Sequence, residues 1–201
     1  MQTGGQIEGS PAPGQETGAY SSEICLDGRD QKGGVTVKGE TMTIEARISA
    51  LGLVLPEKAQ LPPDLVLDFA WARVHGDRVY VSGHGAQAPD GSFPGPFGRV
   101  GAEVMSDEAE DAARLATLAA IASLKRAIGS LDRVEAFLRL EGFVLAGPGF
   151  ERTSNIINVA SRLIVDIFGE EVGRHSRFAV GVAATPLSCP VIIAAEVAIR
   201  Q

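Results

Sequence analysis

The sequence of 201 residues lacks several features that would each assign it to a class of protein. It has two cysteines, Cys25 and Cys189, which cannot build a disulfide framework and do not form a CxxC pair, so a reduced, cytoplasmic protein is expected. No apolar run of about 18 residues predicts a membrane span, and no basic segment followed by an apolar one predicts a secretory signal. The net charge of −7 argues against binding to nucleic acid, which needs clustered lysine and arginine.

Motifs for common chemistries are missing as well. The sequence has no phosphate-binding loop, no dinucleotide-binding glycine motif, no zinc-protease motif and no nucleophile elbow. His75, His84 and His175 do not have the spacing of metal ligands, so we interpret them as surface or loop residues and predict no metal site. Cys189 precedes a proline, and we expect an inert, partly buried thiol there.

The chain changes character near residue 42. Residues 1–41 contain many glycines and prolines but few large apolar side chains, so we predict a disordered N-terminal extension with at most a short strand at 35–37. Residues 42–201 are predicted to form one folded domain, which opens with a short amphipathic helix after Met42.

Apolar periodicity predicts five strands and two long helices in this domain. The strands are expected at 65–74, 78–82, 134–145, 177–183 and 191–199, and the helices from an N-cap at Ser106 to a stop at Gly129 and from 153 to 168 before Gly169. This order contains no repeated βαβ unit and predicts an α+β fold, with two helices packed on one face of a mixed sheet. The other face carries Phe, Val and Ile, which favours an oligomer.

Two stretches, in this order of elements, resemble the RidA (YjgF-type) family. They are Val-Tyr-Val-Ser-Gly at 79–83 and Arg-Phe-Ala-Val-Gly-Val-Ala-Ala-Thr-Pro at 177–186. Three further stretches resemble one divergent branch of this family: residues 44–53, residues 155–161 and Gly-Arg-His at 173–175. The resemblance covers residues 42–201. It implies a chorismate-mutase-like fold, a homotrimer with three clefts between subunits, no cofactor, and hydrolysis of reactive 2-imino and enamine acids to 2-keto acids and ammonia.

The resemblance also implies the site. Arg177 matches the family arginine, and its planar guanidinium suits the carboxylate of a small ligand, which it would hold while water attacks the imine carbon. The other substrate-binding residues implied are Phe69, Ser82, Gly83, His84, Asn158 and Ala179. Ser82 and Gly83 would line the cleft floor, and the Ala179 backbone would face the imine nitrogen.

Each of these residues also has a structural interpretation. Arg177 could be an ion-pair partner of one of the many acidic groups, and Phe69 could belong to the core. Ser82 and Gly83 could form an ordinary strand end, and Asn158 could be a buried helix residue bonded to backbone.

The sequence departs from the family pattern at the residues that are expected to orient the attacking water and at others near the ligand. Ile192 stands where active deaminases have a glutamate, and Glu196 lies further along the same predicted strand face. Phe178 replaces a serine, Phe69 a tyrosine, and His84 a residue that is often glutamine. His84 follows Gly83 directly, so we predict that it could supply an acid–base group near neutral pH.

Two hypotheses from different classes follow. The first is an imine or enamine deaminase. The second is a non-catalytic trimer that binds or senses small carboxylates in the same clefts. An RNA-cleaving role, sometimes attached to the family, finds no basic surface in this sequence.

Overall fold

The computed structural model describes residues 35–37, 40–61 and 67–201. The strands are β1 (Val35–Val37), β2 (Glu40–Met42), β3 (Ala72–His75), β4 (Arg78–His84), β5 (Val134–Leu145), β6 (Ser176–Val182) and β7 (Val191–Ile199). The helices are α1 (Ile44–Ala50), α2 (Ser106–Ile128) and α3 (Thr153–Gly173). The predicted order of strands and long helices from the first hairpin to the C-terminus is confirmed.

Five strands form one mixed sheet in the order β3-β4-β7-β5-β6. The β5–β6 pair is parallel and the other three pairs are antiparallel. The predicted α+β class is therefore confirmed. β1 and β2 pair with each other in a separate two-stranded sheet, and most of the predicted N-terminal extension lies outside the described residues.

Helices α2 and α3 cover one face of the sheet and pack against each other. Many small residues of α2 are buried, among them Ala113, Ala116 and Ala119, which lets this helix lie deep in the core. The largest side chains between the helices and the sheet are at most 2 % exposed; they include Ile121, Leu124, Leu140, Ile164 and Ile193.

The sequence predicted the C-terminal end of α2 correctly and its N-cap wrongly by one residue. Ser106 is the first helical residue and not the N-cap, because Glu108 reaches back and accepts the backbone N–H of Met105 at 2.8 Å. Gly129 ends the helix with φ 84°, as predicted. In α3, Gly169 interrupts the helix with φ 80°, but one more turn follows to Gly173, so the predicted end was early.

The first strand of the hairpin is much shorter than predicted. Residues 65–66 of the predicted strand lie outside the described residues, and residues 67–71 form no strand. The pairing of β3 and β4 ends at Ala72 and Val81, and β4 then shifts its register against β7. The segment before Ala72 therefore loses its regular partner, although the N–H of Ser82 still donates to the carbonyl of Trp71 at 2.9 Å.

The second face of the sheet is not covered by any helix of the described chain. Burial alternates along β7, so that Ile192 and Glu196 lie on this open face, as their spacing predicted. Phe143 of β5 and Phe178 of β6 meet there edge to face, with ring centroids 5.6 Å apart. None of the described helices combines the length and apolarity that a membrane crossing requires.

Candidate functional site

Arg177 lies on the edge strand β6 and is half-buried. Its register partner on β5 is the fully buried Leu140, so its side chain is on the helix-covered side of the sheet. There, Arg177 Nη1 donates to Ser161 Oγ of α3 at 3.0 Å. The ion pairs among the described residues do not include Arg177, so the interpretation as a structural salt-bridge partner finds no support in this part of the chain.

Two further predicted residues lie close to Arg177 along the same edge. Ala179 is two residues on and on the same side of β6, and its carbonyl accepts the hydroxyl of Thr153 at 3.2 Å. Asn158 is exposed on α3, one helical turn before Ser161, and is not the buried residue that the structural interpretation required. The structure therefore places Arg177, Ala179 and Asn158 along one edge formed by α3 and β6.

The remaining predicted residues lie at the other edge of the sheet. Phe69 is 53 % exposed and meets Trp71 edge to face at 5.3 Å, so it is not a core residue. The Ser82 hydroxyl donates to the carbonyl of Ala70 at 2.7 Å. The backbone of the exposed Gly83 packs so closely on Ile192 that an added Cβ would lie 2.8 Å from Ile192 Cγ2. The end of β4 is therefore next to the position where the family resemblance implies a glutamate.

The structure corrects the suggestion for His84. This side chain is 1 % exposed and lies under α2, because the register shift after Val81 turns it away from the open face. Its Nδ1 is 2.6 Å from the carbonyl of Ser82 and its Nε2 is 2.8 Å from Ser123 Oγ. Burial lowers the pKa of His84 to about 4, so it is a neutral core residue and neither a surface histidine nor an acid–base group near neutral pH.

A single chain does not bring all the predicted residues together. Arg177 and its neighbours occupy the β6 edge on the helix-covered side, whereas Phe69, Ser82 and Gly83 lie by β3 and β4, at the opposite end of the five-stranded order. Within one chain the predicted residues therefore form two separate groups.

Comparison with known proteins decides the family. Residues 45–197 match the family model described as "YjgF/chorismate_mutase-like, putative endoribonuclease". The chain belongs to the YjgF/RidA family. It is 36 % identical over 159 residues to Protein TCP17 of Trypanosoma cruzi, covering 79 % of this chain and 95 % of that protein.

Two solved structures share the fold of this YjgF/RidA chain. Protein Atu1372 from Agrobacterium tumefaciens is 34 % identical with a TM-score of 0.70, over 79 % of this chain and 94 % of that one. A protein from Shewanella oneidensis described as "a putative endoribonuclease" is 32 % identical with a TM-score of 0.71, over 79 % of this chain and all of that one. The predicted chorismate-mutase-like fold is thereby confirmed.

At Ile192 this YjgF/RidA chain carries an apolar side chain. Two carboxylates on β5 and β7 share its face, Glu141 and Glu196, and each is held in an ion pair. Glu196 shares the face of Ile192, but it lies opposite Tyr80 of β4, and its Oε1 accepts from Arg78 Nη1 at 2.5 Å. Phe178, Phe143 and Ile192 instead make this part of the open face apolar.

Sequence reasoning missed two polar residues beside Arg177. His175 is half-buried, with Nε2 3.0 Å from Ser161 Oγ and Nδ1 2.7 Å from the carbonyl of Gly173. The signal was the i, i+2 spacing of His175 and Arg177 at the start of a strand, which puts both side chains on one side. Ser161 gave no signal, because a serine within a helix is usually an ordinary surface residue.

The remaining polar candidates add no further site. Cys189 is 5 % exposed and burial raises the pKa of its thiol, which agrees with the predicted inert thiol. Among the described residues, no three His, Cys, Asp or Glu side chains gather closely enough to hold a metal ion.

Proposed function

We propose that the protein binds small 2-imino and 2-keto acids through Arg177 and hydrolyses the imino acids to 2-keto acids and ammonia in clefts between subunits. The observation that carries this proposal is the state of the Arg177 guanidinium. It is half-buried, it has one hydrogen bond to a neutral hydroxyl, and the ion pairs of the described chain leave it out. A half-buried arginine outside the ion pairs of the described residues favours an anionic ligand, and a carboxylate matches the fork of its guanidinium.

Assembly of the site from two subunits is part of the proposal. The homotrimer is what the family resemblance implies, and two features of the chain support an oligomer. The open face of the sheet carries Tyr80 and Val180 at 47 % and 41 % exposure, together with Phe178 and Ile192. β6 also lies at an edge of the five-stranded sheet of the described residues, and an edge strand can pair with another chain.

Ile192 favours a second candidate function, a trimer that binds small carboxylates without turnover. In this case Arg177 holds the ligand, but no side chain at Ile192 directs a water to it. The two candidates share the ligand and differ only in turnover, so one experiment separates them.

The test generates 2-iminopropanoate in solution and follows its decay with wild-type protein, Arg177→Ala and Arg114→Ala. Arg114 is exposed on α2 and is the matched control, which should behave as wild type. Calorimetry with 2-ketobutyrate measures binding by the same three proteins. We expect faster decay with wild type, background decay with Arg177→Ala, and at least about 100-fold weaker binding by that variant.

Three other results would change the proposal. If wild type binds 2-ketobutyrate without accelerating decay, the protein is a binder. If it does neither, the carboxylate site is wrong. A monomer in light scattering contradicts the cleft between subunits, whatever the binding result.

A further inference from the structure

Ser161 lies between two side chains that contact its hydroxyl from different elements. His175 Nε2, from the segment that joins α3 to β6, is 3.0 Å from Ser161 Oγ. Arg177 Nη1, from β6, donates to the same oxygen at 3.0 Å. The guanidinium proposed to hold a carboxylate and a potential proton acceptor therefore meet at one hydroxyl.

The bonding pattern assigns the protons of this cluster. The carbonyl of Gly173 can only accept, so the proton of a neutral His175 ring is on Nδ1, which donates to that carbonyl across 2.7 Å. His175 Nε2 is then an acceptor, and the Ser161 hydroxyl donates to it. Arg177 can only donate, and it uses a lone pair of Ser161 Oγ. A serine hydroxyl aimed at an imidazole whose other nitrogen is held by a carbonyl is the arrangement of a nucleophile or water relay with its base.

The surroundings of His175 keep its imidazole neutral. Burial lowers its pKa, the hydrogen bond to Gly173 raises it, and the charge of Arg177 lowers it again, with a net shift below the ordinary value of about 6.5. Arg177 on β6 is the charged group that acts on it. The nearest charged pair along the chain, Glu170 and Arg174 at the end of α3, is engaged internally at 3.3 Å. His175 is thus a base, and not a cation, at neutral pH.

We propose that Ser161 and His175 form the proton relay of the site, with Ser161 contacting the attacking water and His175 accepting the proton through it. This inference rests on the proposed function and explains how a chain with Ile192 in place of glutamate can still activate water. Arg177 would hold the carboxylate of the imino acid. Because the imine carbon is bonded to the carboxylate carbon, a ligand on Arg177 keeps its reacting atom beside the relay.

The chemical steps balance without a cofactor. Starting from the protonated imine, the water oxygen bonds to the imine carbon while one water proton passes to Ser161 and the serine proton passes to His175 Nε2. The C=N electron pair moves to nitrogen and gives a carbinolamine. The proton then returns through Ser161 to the amine nitrogen, the C–N bond breaks with its electrons on nitrogen, and ammonia leaves. The hydroxyl proton left on the 2-keto acid passes to ammonia or solvent.

The experiment measures the decay of 2-iminopropanoate across pH for wild type, Ser161→Ala, Ser161→Thr and His175→Gln. The matched control is Ser123→Ala, which removes a serine with the same kind of histidine and arginine partners in the buried His84 cluster. Calorimetry with 2-ketobutyrate follows binding in each variant. Ser161→Ala leaves the bond from His175 to the end of α3 intact, so it tests the relay even if His175→Gln folds poorly.

We expect the wild-type rate to fall as pH decreases through the lowered pKa of His175, because protonation removes the acceptor. Ser161→Ala and His175→Gln should lower kcat about 100-fold, within the range of general acid–base catalysis, and should bind 2-ketobutyrate within about threefold of wild type. His175→Gln should lose the fall in rate at low pH. Ser161→Thr keeps a hydroxyl and should recover part of kcat, and Ser123→Ala should keep the wild-type rate per folded molecule.

The outcomes that overturn the relay differ from those that overturn the proposed function. If wild type is active and both Ser161→Ala and His175→Gln keep its kcat and pH profile, the relay is wrong and the function stands. If the two variants lose activity only in proportion to lost 2-ketobutyrate binding, His175 and Ser161 merely orient Arg177, and the relay is again wrong. A wild type without activity at any pH refutes both.

Discussion

The molecule contains the same four-part polar cluster twice, in two different settings. In the buried cluster, His84 joins the carbonyl of Ser82 to Ser123 Oγ, which also accepts from Arg126 Nη2 at 2.9 Å. In the edge cluster, His175 joins the carbonyl of Gly173 to Ser161 Oγ, which also accepts from Arg177. Each histidine is bonded to the carbonyl two residues before it.

The clusters differ in burial and in what else their arginine binds. His84 is 1 % exposed, whereas His175 is half-buried. Arg126 also donates to the carbonyl of Pro56 at 3.1 Å, so it ties two segments of the chain together. Within the described residues, the hydrogen bond of the Arg177 side chain is the one to Ser161. The same bonds therefore close the histidine and serine of the first cluster off from solvent, although Arg126 itself is exposed, whereas in the edge cluster all three side chains are half-buried.

The largest expected difference between the clusters is the dependence of stability on pH. The pKa of His84 is about 4 in the folded chain and about 6.5 unfolded, so the unfolded state binds the proton first. The stability that His84 contributes is complete above about pH 6.5 and is lost as pH falls towards about 4, to a total of about 3 kcal/mol. Between about pH 7.5 and 5 this amounts to about 2 kcal/mol.

Urea unfolding at these two pH values measures this loss. The wild type should lose about 2 kcal/mol more than His84→Gln, in which the titrating group is gone. His175→Gln should keep most of the wild-type loss, because His175 is only half-buried and solvent can stabilise its protonated form in the folded chain. Equal losses in wild type and His84→Gln would mean that solvent reaches the buried cluster.

The next largest effect concerns the two serines. Ser123→Ala should cost about 2 kcal/mol of unfolding free energy, because it leaves the buried Nε2 of His84 without a partner. Ser161→Ala should cost less than about 1 kcal/mol, since water can replace the hydroxyl at a half-buried position. Urea unfolding at neutral pH compares them. A larger loss for Ser161→Ala would show that the edge cluster, too, is mainly structural.

The sequence predicted the periodic parts of this fold well. Alternation along β7 and the apolar stripes of α2 and α3 depend only on which residues must be buried, and these predictions were confirmed. The errors occurred where one contact between distant segments decides the local structure. Residues 67–71 have strand-like composition, but regular pairing with β4 ends at Ala72 and Val81, where β4 becomes irregular, so they do not continue the strand.

The same register shift explains the failure at His84. His84 was a catalytic candidate because it follows Gly83, and strict alternation from Tyr80 and Ser82 would put it on the open face. One irregular position after Val81 turns it into the core. The edge cluster was missed for a related reason, because Ser161 and His175 meet only through the turn between α3 and β6. The position of Arg177 at the start of a strand followed from the pattern, but its place at the edge of the sheet and its polar neighbours did not.

The smallest expected effects come from replacing each arginine by lysine, and they should be opposite in kind. Lysine has no planar fork and cannot make both bonds of Arg126, so Arg126→Lys should cost about 1 kcal/mol of stability and leave 2-ketobutyrate binding unchanged. Arg177→Lys should change stability by no more than about 0.5 kcal/mol, because a single bond to a half-buried hydroxyl is lost. It should weaken 2-ketobutyrate binding about 10-fold, since the charge remains and the bidentate contact does not.

Urea unfolding and calorimetry on the same two variants provide both measurements. The comparison is sharpest here, because each variant keeps its charge and changes only the geometry of donation. If Arg126→Lys weakened ligand binding or Arg177→Lys lowered stability by as much as Arg126→Lys, the two clusters would share one structural role. If instead Arg126→Lys lowers only stability and Arg177→Lys weakens only ligand binding, the same set of hydrogen bonds has two roles. In the first cluster it connects α2 to the loop at Pro56, and in the second it positions an arginine at the sheet edge to bind an anion.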